Sequence, residues 1–476
     1  MLRLPLLRAG RPHRSLRTQT LTDVRSGAPV VEVSQAAAGM IARDLAGMGE
    51  HRRLLEGFTV AELLAACRDA AHHFAHSRLP LGDDSQDLED YLAQLAATTG
   101  MPVAMGRANA GKIVSNLENM TSVLDGLTRG LDLRVLDHGC GEQHGRTLSY
   151  LRQSDALGAV LPNNSPGVHA LWLPAIALKT PLALKPGSTE PWTPWRIAQA
   201  LIAAGCPPQA FSIYPSDHSG ATEVLLRTGR SLFFGDARTV RAWHGSGKVQ
   251  VHGPGGSKVL LLGRAAEGWR DHLALMVGSV AANGGRSCIN ASSVWTTADG
   301  DAIAEALAER LAAIEPRPLD DPQAALAAFA QPRMAHAISE LIDQQLTIPG
   351  AADITARWYP EGRVAQINGC TFLRPTVIRC TDPRHPLAAT ELGFPFVAVV
   401  EIADPQALLA SIGPTLVASA LGAADLESSL LACPHIDRLN LGAIPTYQIS
   451  WDQPHEGNLF DHLFQQRAFK RAPAGA

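Results

Sequence analysis

From residue 157 onward the chain repeats one rhythm: a short apolar run closed by a turn residue, then a stretch with apolar residues three and four apart. Residues 157–162 read as a buried strand stopped at Pro162, 170–178 as a helix, and 182–184 as a second strand. Residues 195–204 read as a helix ended by Gly205 with Pro207 beyond it, and 212–214 and 231–234 as two more short strands. Strands that alternate with helices pair in parallel, because each helical crossover returns the chain over one face of the sheet. An apolar strand at 258–263 closes this unit, and after Trp269 the rhythm restarts. Next come a strand at 293–296, helices through Leu346 that include the Ala-rich stretch 302–330, and strands near Thr376 and Val397. A length of 476 residues also exceeds what one core fills. The expected fold is therefore α/β, with two doubly wound lobes and a cleft between them.

The rhythm divides the chain. Residues 1–135 are expected to be a helical N-terminal part of the first lobe, and 136–156 a polar bridging or oligomerisation segment. Residues 157–263 form a Rossmann-like lobe, 264–435 the second lobe, and 436–476 a C-terminal segment. The first 20 residues carry Arg3, Arg8, Arg11, Arg14 and Arg17 with no acid before Asp23, a composition seen in organelle transit peptides. Pro5, Gly10 and Pro12 would break the amphipathic helix such a peptide needs, so the segment is read as part of the fold. A net charge of -4 gives no field for nucleic acid or an anionic membrane. No apolar run approaches the roughly 20 residues of a membrane-spanning helix. The seven cysteines are odd in number and never spaced C-x-x-C, which argues against a disulfide framework and against a metal site, and fits reduced thiols in the cytoplasm.

The chemistry centres on Asn283-Gly284-Gly285-Arg286-Ser287-Cys288. A nucleophilic Cys needs a lowered pKa and hydrogen-bond donors for the oxyanion of its adduct. Two glycines let the backbone approach a ligand closely, and Arg286 is a cation placed to favour the thiolate. Alone, such a thiol is more often simply packed. It is accompanied, in chain order, by Leu161-Pro162-Asn163-Asn164-Ser165-Pro166, Lys185-Pro186, Phe233-Phe234-Gly235-Asp236 and Glu391-Leu392-Gly393-Phe394-Pro395. Together these runs resemble the aldehyde dehydrogenase superfamily over about residues 155–445. The resemblance implies Cys288 as the nucleophile and the Asn164 amide, with the Cys288 N–H, as the oxyanion hole. It places Lys185, Ser188, Gly235, Asp236, Glu391 and Phe394 at a nicotinamide cofactor, NAD or NADP. It further implies a small-molecule aldehyde or acyl thioester as substrate and admits a homodimer, although the short stretch after Arg467 leaves little for the final strand with which family members extend a partner's sheet.

The sequence also departs from the family. The general-base Glu of hydrolytic members falls on Gly253 or Pro254 within His252-Gly253-Pro254-Gly255-Gly256-Ser257-Lys258. Without a base, water attacks an acyl-Cys unaided, and general base catalysis is worth about 10²–10⁴-fold. Acylating members are similar in lacking this Glu, so coenzyme A is a candidate acyl acceptor, with the reverse reduction of an acyl thioester as the same chemistry. His252 as a substitute base for hydrolysis is the competing reading, and a catalytically silent family member is the third. Ser188 stands where NAD-preferring members carry an acid, which admits NADP; Glu190 reaching across would favour NAD. Asp236 beside a pyrophosphate is unhelpful unless it caps a helix. Trp172, Trp192, Trp195 and Trp451 are candidates for a substrate tunnel or for core, while His455 and Glu456 invite a metal or acid/base reading, although two polar residues in a Pro/Gly loop are more often surface.

Overall fold

A computed structural model of the chain describes residues 1–470 and 472. Its centre is two seven-stranded sheets. In the first, the strands Val249–His252, Arg230–Phe234, Leu157–Val160, Leu182–Lys185 and Phe211–Ile213 lie side by side in parallel. In the second, Thr376–Cys380, Phe396–Glu401, Ala291–Thr296, Ser257–Leu261, Thr415–Leu421 and Ile436–Leu441 are parallel, and Ala351–Asp353 joins one edge antiparallel. Helices cover the sheets, so the central strands are buried along their whole length, as Ser257–Leu261 and Thr415–Leu421 are. That is why these strands read as unbroken apolar runs.

The N-terminal stretch is not uniformly helical. Leu2–Leu4, Thr18–Thr22 and Pro29–Ser34 form a small sheet. Leu6–Arg8 pairs antiparallel with Phe211–Ile213 and with Arg11–His13, and so extends the first large sheet. Leu6 and Leu7 are fully buried there. The residues that forbid a helix permit this arrangement: Pro12 stands on an edge strand, where no ladder N–H is required, and Gly10 makes the turn at φ +76°. Helices begin at Ala38–Leu45 and include Val60–His76, Leu88–Thr99 and Val103–Glu118. Capping boxes at Thr59/Glu62 and Asp87/Asp90 start two of them.

Three further boundaries differ from expectation. The strand Ser257–Leu261 belongs to the second sheet, between Ala291–Thr296 and Thr415–Leu421, so the chain changes sheets at residues 253–256. The helix Gly300–Ala312 is not continued: residues 316–331 run without helix, since Pro316, Pro318 and Pro322 each lack the N–H a helix uses. That segment is nonetheless packed, with Leu319 and Leu326 buried and the Ala328 N–H bonded to the Gly100 carbonyl. Finally, Phe464–Arg467 does form a last strand, antiparallel to Arg146–Arg152 of the same chain, whose other neighbour is Gly141–Gln143. Trp172, Trp192 and Trp195 are wholly buried in the first lobe.

Candidate active site

The helix Leu273–Ala281 ends in a turn where Asn283, Gly284 and Gly285 have φ of +53°, +64° and +67°. Successive left-handed residues reverse the chain tightly; Asn tolerates that region and glycine does so freely. Gly285 is also required by space, because a Cβ there would lie 2.4 Å from the Phe394 carbonyl carbon and the Pro395 nitrogen. The turn is held from outside. Asn283 Oδ1 accepts from Asn109 Nδ2 at 2.7 Å, and its own Nδ2 donates to Ser287 Oγ at 2.9 Å and Ser165 Oγ at 3.2 Å.

Arg286, next in the turn, is directed away from the sulfur. Its guanidinium donates to the carbonyls of Thr99 at 3.3 Å and Asn163 at 3.2 Å, while its own carbonyl accepts from Asn164 Nδ2 at 2.9 Å. Burial pushes the guanidinium down to about 10. The expectation that this cation favours the Cys288 thiolate is therefore corrected. The Cys288 thiol is instead pushed well above its usual range, chiefly by burial and then by the charges of Glu456 and Glu391, with the N–H groups of Cys288 and Ile289 acting in the opposite sense. On the far side, Gly255 lies so close that a Cβ would be 2.0 Å from the Cys288 carbonyl oxygen, which also accepts from Ser257 Oγ at 2.7 Å.

Cys288 stands where two cavities meet. One is an open cleft of about 680 Å³. The other is a narrow, largely apolar pocket lined by Val168, Leu171, Ile289, Ile449 and Trp451, with Lys112 and His455 as its titratable members. Asn164 and Cys288 line both. Asn164 Oδ1 is buried without a partner, and Nδ2 carries a second hydrogen beyond the one given to Arg286.

Along the cleft, Lys185 lies at the end of its strand, its amine pushed down by burial against the opposing influence of Asp217. Ala221, Thr222 and Leu225 on the helix His218–Arg227 line the cleft along with Phe233 and Trp243. Gly235 closes the first-lobe strand, and a Cβ on it would come 2.5 Å from Thr239 Oγ1. Asp236 caps the short helix after it, accepting from the N–H groups of Arg238 and Thr239, which holds its carboxyl below the usual range. Ser188 is exposed and meets Asn163 Nδ2 at 3.4 Å. Glu190 does not reach the cleft: it is buried, accepting from Thr193 N and Oγ1 at 2.8 Å and facing His169 Nε2 at 3.3 Å. Glu391 lines the cleft with Cys288, and its Oε2 accepts from the Gly256 N–H at 2.6 Å. Burial pushes this carboxyl up to about 7. Phe394, by contrast, lies in the core of the second lobe against Phe396, away from the cleft.

His252 is 4% exposed and ends the outermost strand of the first sheet. Its ring stacks on Phe234 at 4.4 Å with an interplanar angle of 12°, and Nδ1 lies 2.6 Å from Glu456 Oε2. Glu456, expected at the surface, keeps 19% of its side chain exposed but is turned inward onto this ring. His455 is likewise buried, its Nδ1 without a partner and its ring pushed down to about 3 by burial. Among the described residues no group of three or more His, Cys, Asp or Glu is placed to hold a metal ion. No helix among them is long and apolar enough to cross a membrane.

The sequence profile described as the aldehyde dehydrogenase family matches residues 85–413. The chain belongs to the aldehyde dehydrogenase family. Its reaction class is accordingly that of an NAD(P)-dependent oxidoreductase acting on aldehydes. No curated protein matches the sequence. Solved structures of family members match the fold over nearly all of both chains. The aldehyde dehydrogenase KauB from Pseudomonas aeruginosa has a TM-score of 0.79 at 15% identity, covering 98% of this chain and 96% of its own. PnpE from Pseudomonas sp. WBC-3 has a TM-score of 0.78 at 16% identity, covering 100% of each. The gamma-glutamyl-gamma-aminobutyraldehyde dehydrogenase from Burkholderia cenocepacia J2315 has a TM-score of 0.74 at 15% identity, covering 98% and 96%. At these identities the likeness is one of fold.

Proposed function

We propose that the protein oxidises a small aldehyde through a thioester on Cys288 and hands the acyl group to a thiol such as coenzyme A. The observation that carries this is the position of Cys288 and Asn164 in the wall shared by the cleft and the apolar pocket, so that both reach an aldehyde entering from one side and a cofactor lying on the other. The thiol adds to the aldehyde carbon, and the oxygen that becomes charged is met by Asn164 Nδ2 and the Cys288 N–H. NAD(P), when bound, supplies the hydride acceptor. PnpE has been observed in complex with nicotinamide adenine dinucleotide, and the residues here fit such a group. The face formed by Ala221, Thr222 and Leu225 opposite Trp243 suits a flat ring, Lys185 and Glu391 suit the riboses, and the close-packed Gly235 turn leaves backbone against the phosphates. With Glu190 in the core and Ser188 exposed, no carboxylate from this turn opposes a 2′-phosphate, which supports NADP alongside NAD.

Transfer to a thiol is supported by the stretch at residues 253–256, which puts no carboxylate beside Cys288. Hydrolysis is a second reading, favoured by the short contact of His252 with Glu456. Protein mixed with an aldehyde panel and NAD or NADP, with and without coenzyme A, separates them by absorbance of the reduced cofactor. Turnover only with the thiol is the expected result, with a single burst in its absence. Full turnover in water alone would sink acyl transfer, and the absence of any burst would favour a silent protein. Cys288→Ala abolishes every signal on either active reading.

A further inference from the structure

We propose that Glu456, held by His252, is the base that takes the proton of whatever nucleophile releases the acyl group from Cys288; this rests on the Cys288 thioester proposed above. The family's carboxylate at the sheet crossing falls on Gly253 or Pro254. A different carboxylate is brought to the same end of the first sheet by the segment that follows the last strand of the second. The two partners are 204 residues apart in sequence and 2.6 Å apart in space.

The arrangement is built rather than incidental. The imidazole of His252 is fixed in its plane by Phe234 on one face, with His455 in a parallel ring contact at 6.4 Å. A carboxylate accepts, so Nδ1 carries the proton, and Gln250 Nε2 meets the free Nε2 at 3.3 Å. Both imidazole nitrogens are therefore engaged, and His252 acts as a positioning residue. Glu456 itself occupies a left-handed backbone position at φ +51°, pinned by its N–H to Asp437 Oδ2 at 2.8 Å. Gly457 follows at φ +115° against the Gln250 amide, where a Cβ would be 2.9 Å from Cδ. A non-glycine residue held in that region persists only where its surroundings over-determine it. The carboxylate keeps 19% of its side chain exposed, and among the described residues its second oxygen has no partner. Its partner His252 lines the cleft with Cys288, its neighbour His455 lines the apolar pocket with Cys288, and its charge helps to raise the Cys288 thiol.

The step balances without redox change. The nucleophile, water or a thiol, attacks the thioester carbonyl while its proton passes to the free oxygen of Glu456. The oxyanion is held by Asn164 Nδ2 and the Cys288 N–H. Collapse breaks the carbon–sulfur bond, the sulfur departs as thiolate, and the proton that Glu456 took from the nucleophile passes to it, restoring the thiol and the free carboxylate.

The probe is 4-nitrophenyl acetate, whose acyl transfer to Cys288 releases nitrophenolate, so that a burst reports acylation and the steady state reports release. It is used on the full-length protein with NAD present, with and without coenzyme A. Glu456→Gln is expected to keep the burst amplitude and lose about 100-fold or more of the steady-state rate, with acetyl-Cys288 accumulating by mass. Acetate ions should restore part of the rate to Glu456→Ala, which a merely structural carboxylate would not allow. His252→Gln should lower the same rate, and the double variant should be no slower than Glu456→Gln alone. An unchanged steady state in Glu456→Gln overturns the proposal, as does loss of its burst, or a rate that depends on His252 and not on Glu456. If the wild type itself shows no burst and no acetyl-Cys288, the thioester reading fails and takes this proposal with it.

Discussion

Replacing Glu391 by Gln should stabilise the protein at neutral pH and leave it unchanged in acid. The carboxyl titrates near 4.5 in an unfolded chain and is pushed up to about 7 in the fold, mainly by burial. Between those values the folded state holds a proton that the unfolded state has lost, so stability falls as pH rises, by about 1.4 kcal/mol per pH unit. Across the window this amounts to about 3 kcal/mol, fully expressed above pH 7 and absent below pH 4.5. Glu456 and Lys258 are the charged groups that act on this carboxyl, and the hydrogen bond from Gly256 opposes the burial. Lys258, pushed down to about 8, has its own stability window above that pH, so comparisons between pH 4.5 and 7.5 isolate Glu391. Gln keeps the shape and removes the charge. At about 2 cal/mol/K of unfolding entropy per residue, 3 kcal/mol corresponds to a rise of about 3 °C in Tm at pH 7.5 and none at pH 4.5. Scanning calorimetry of the two proteins across that range measures the difference. A pH-independent offset, or a less stable Gln variant at pH 7.5, would refute the claim that burial dominates this carboxyl.

Other outcomes follow from individual contacts. Gly255→Ala should abolish the acylation burst while leaving cofactor binding intact by fluorescence titration, because its Cβ would displace the Cys288 carbonyl from 2.0 Å. Gly235→Ala should act on the other cavity, raising the KM for NAD(P) about 5- to 100-fold through the 2.5 Å contact with Thr239, at an overpacking cost of about 1–3 kcal/mol. Ser188→Glu should lower kcat/KM with NADP at least 10-fold relative to NAD, measured as the ratio of the two, since it restores the acid that opposes a 2′-phosphate. Arg286→Met should change stability little by chemical denaturation. It strands two carbonyls, each costing about 1–3 kcal/mol, but relieves about 3 kcal/mol of guanidinium burial.

The lobes were legible because their signal is local. Each buried parallel strand is a short apolar run, and each crossover helix has its own periodicity, so 157–162 or 231–234 can be read without knowing their neighbours. The turn before Cys288 was legible for a similar reason, since consecutive Gly residues announce a backbone that ordinary residues avoid. The edge strands at Leu6–Arg8 and Arg11–His13 were not, because Pro5, Gly10 and Pro12 exclude a helix without naming the strand that receives them. Residues 316–331 misled through their alanines, whose propensity yields to three prolines. Arg286 and Phe394 lie within matching motifs yet turn away from the sulfur and the cleft, and motif position carries no side-chain direction. Glu456 was read as surface because its partner lies 204 residues away, and pairing at that distance leaves no trace in local pattern.

Arg286 has a consequence for how molecules enter and leave. Its turn belongs to the second lobe, and both carbonyls it serves belong to the first. Parting the lobes would separate the guanidinium from both acceptors at once, so the turn that carries Cys288 is tied to the first lobe across the seam. Molecules can reach Cys288 with that tie intact, through the open cleft lined by His218, Thr222 and Trp243.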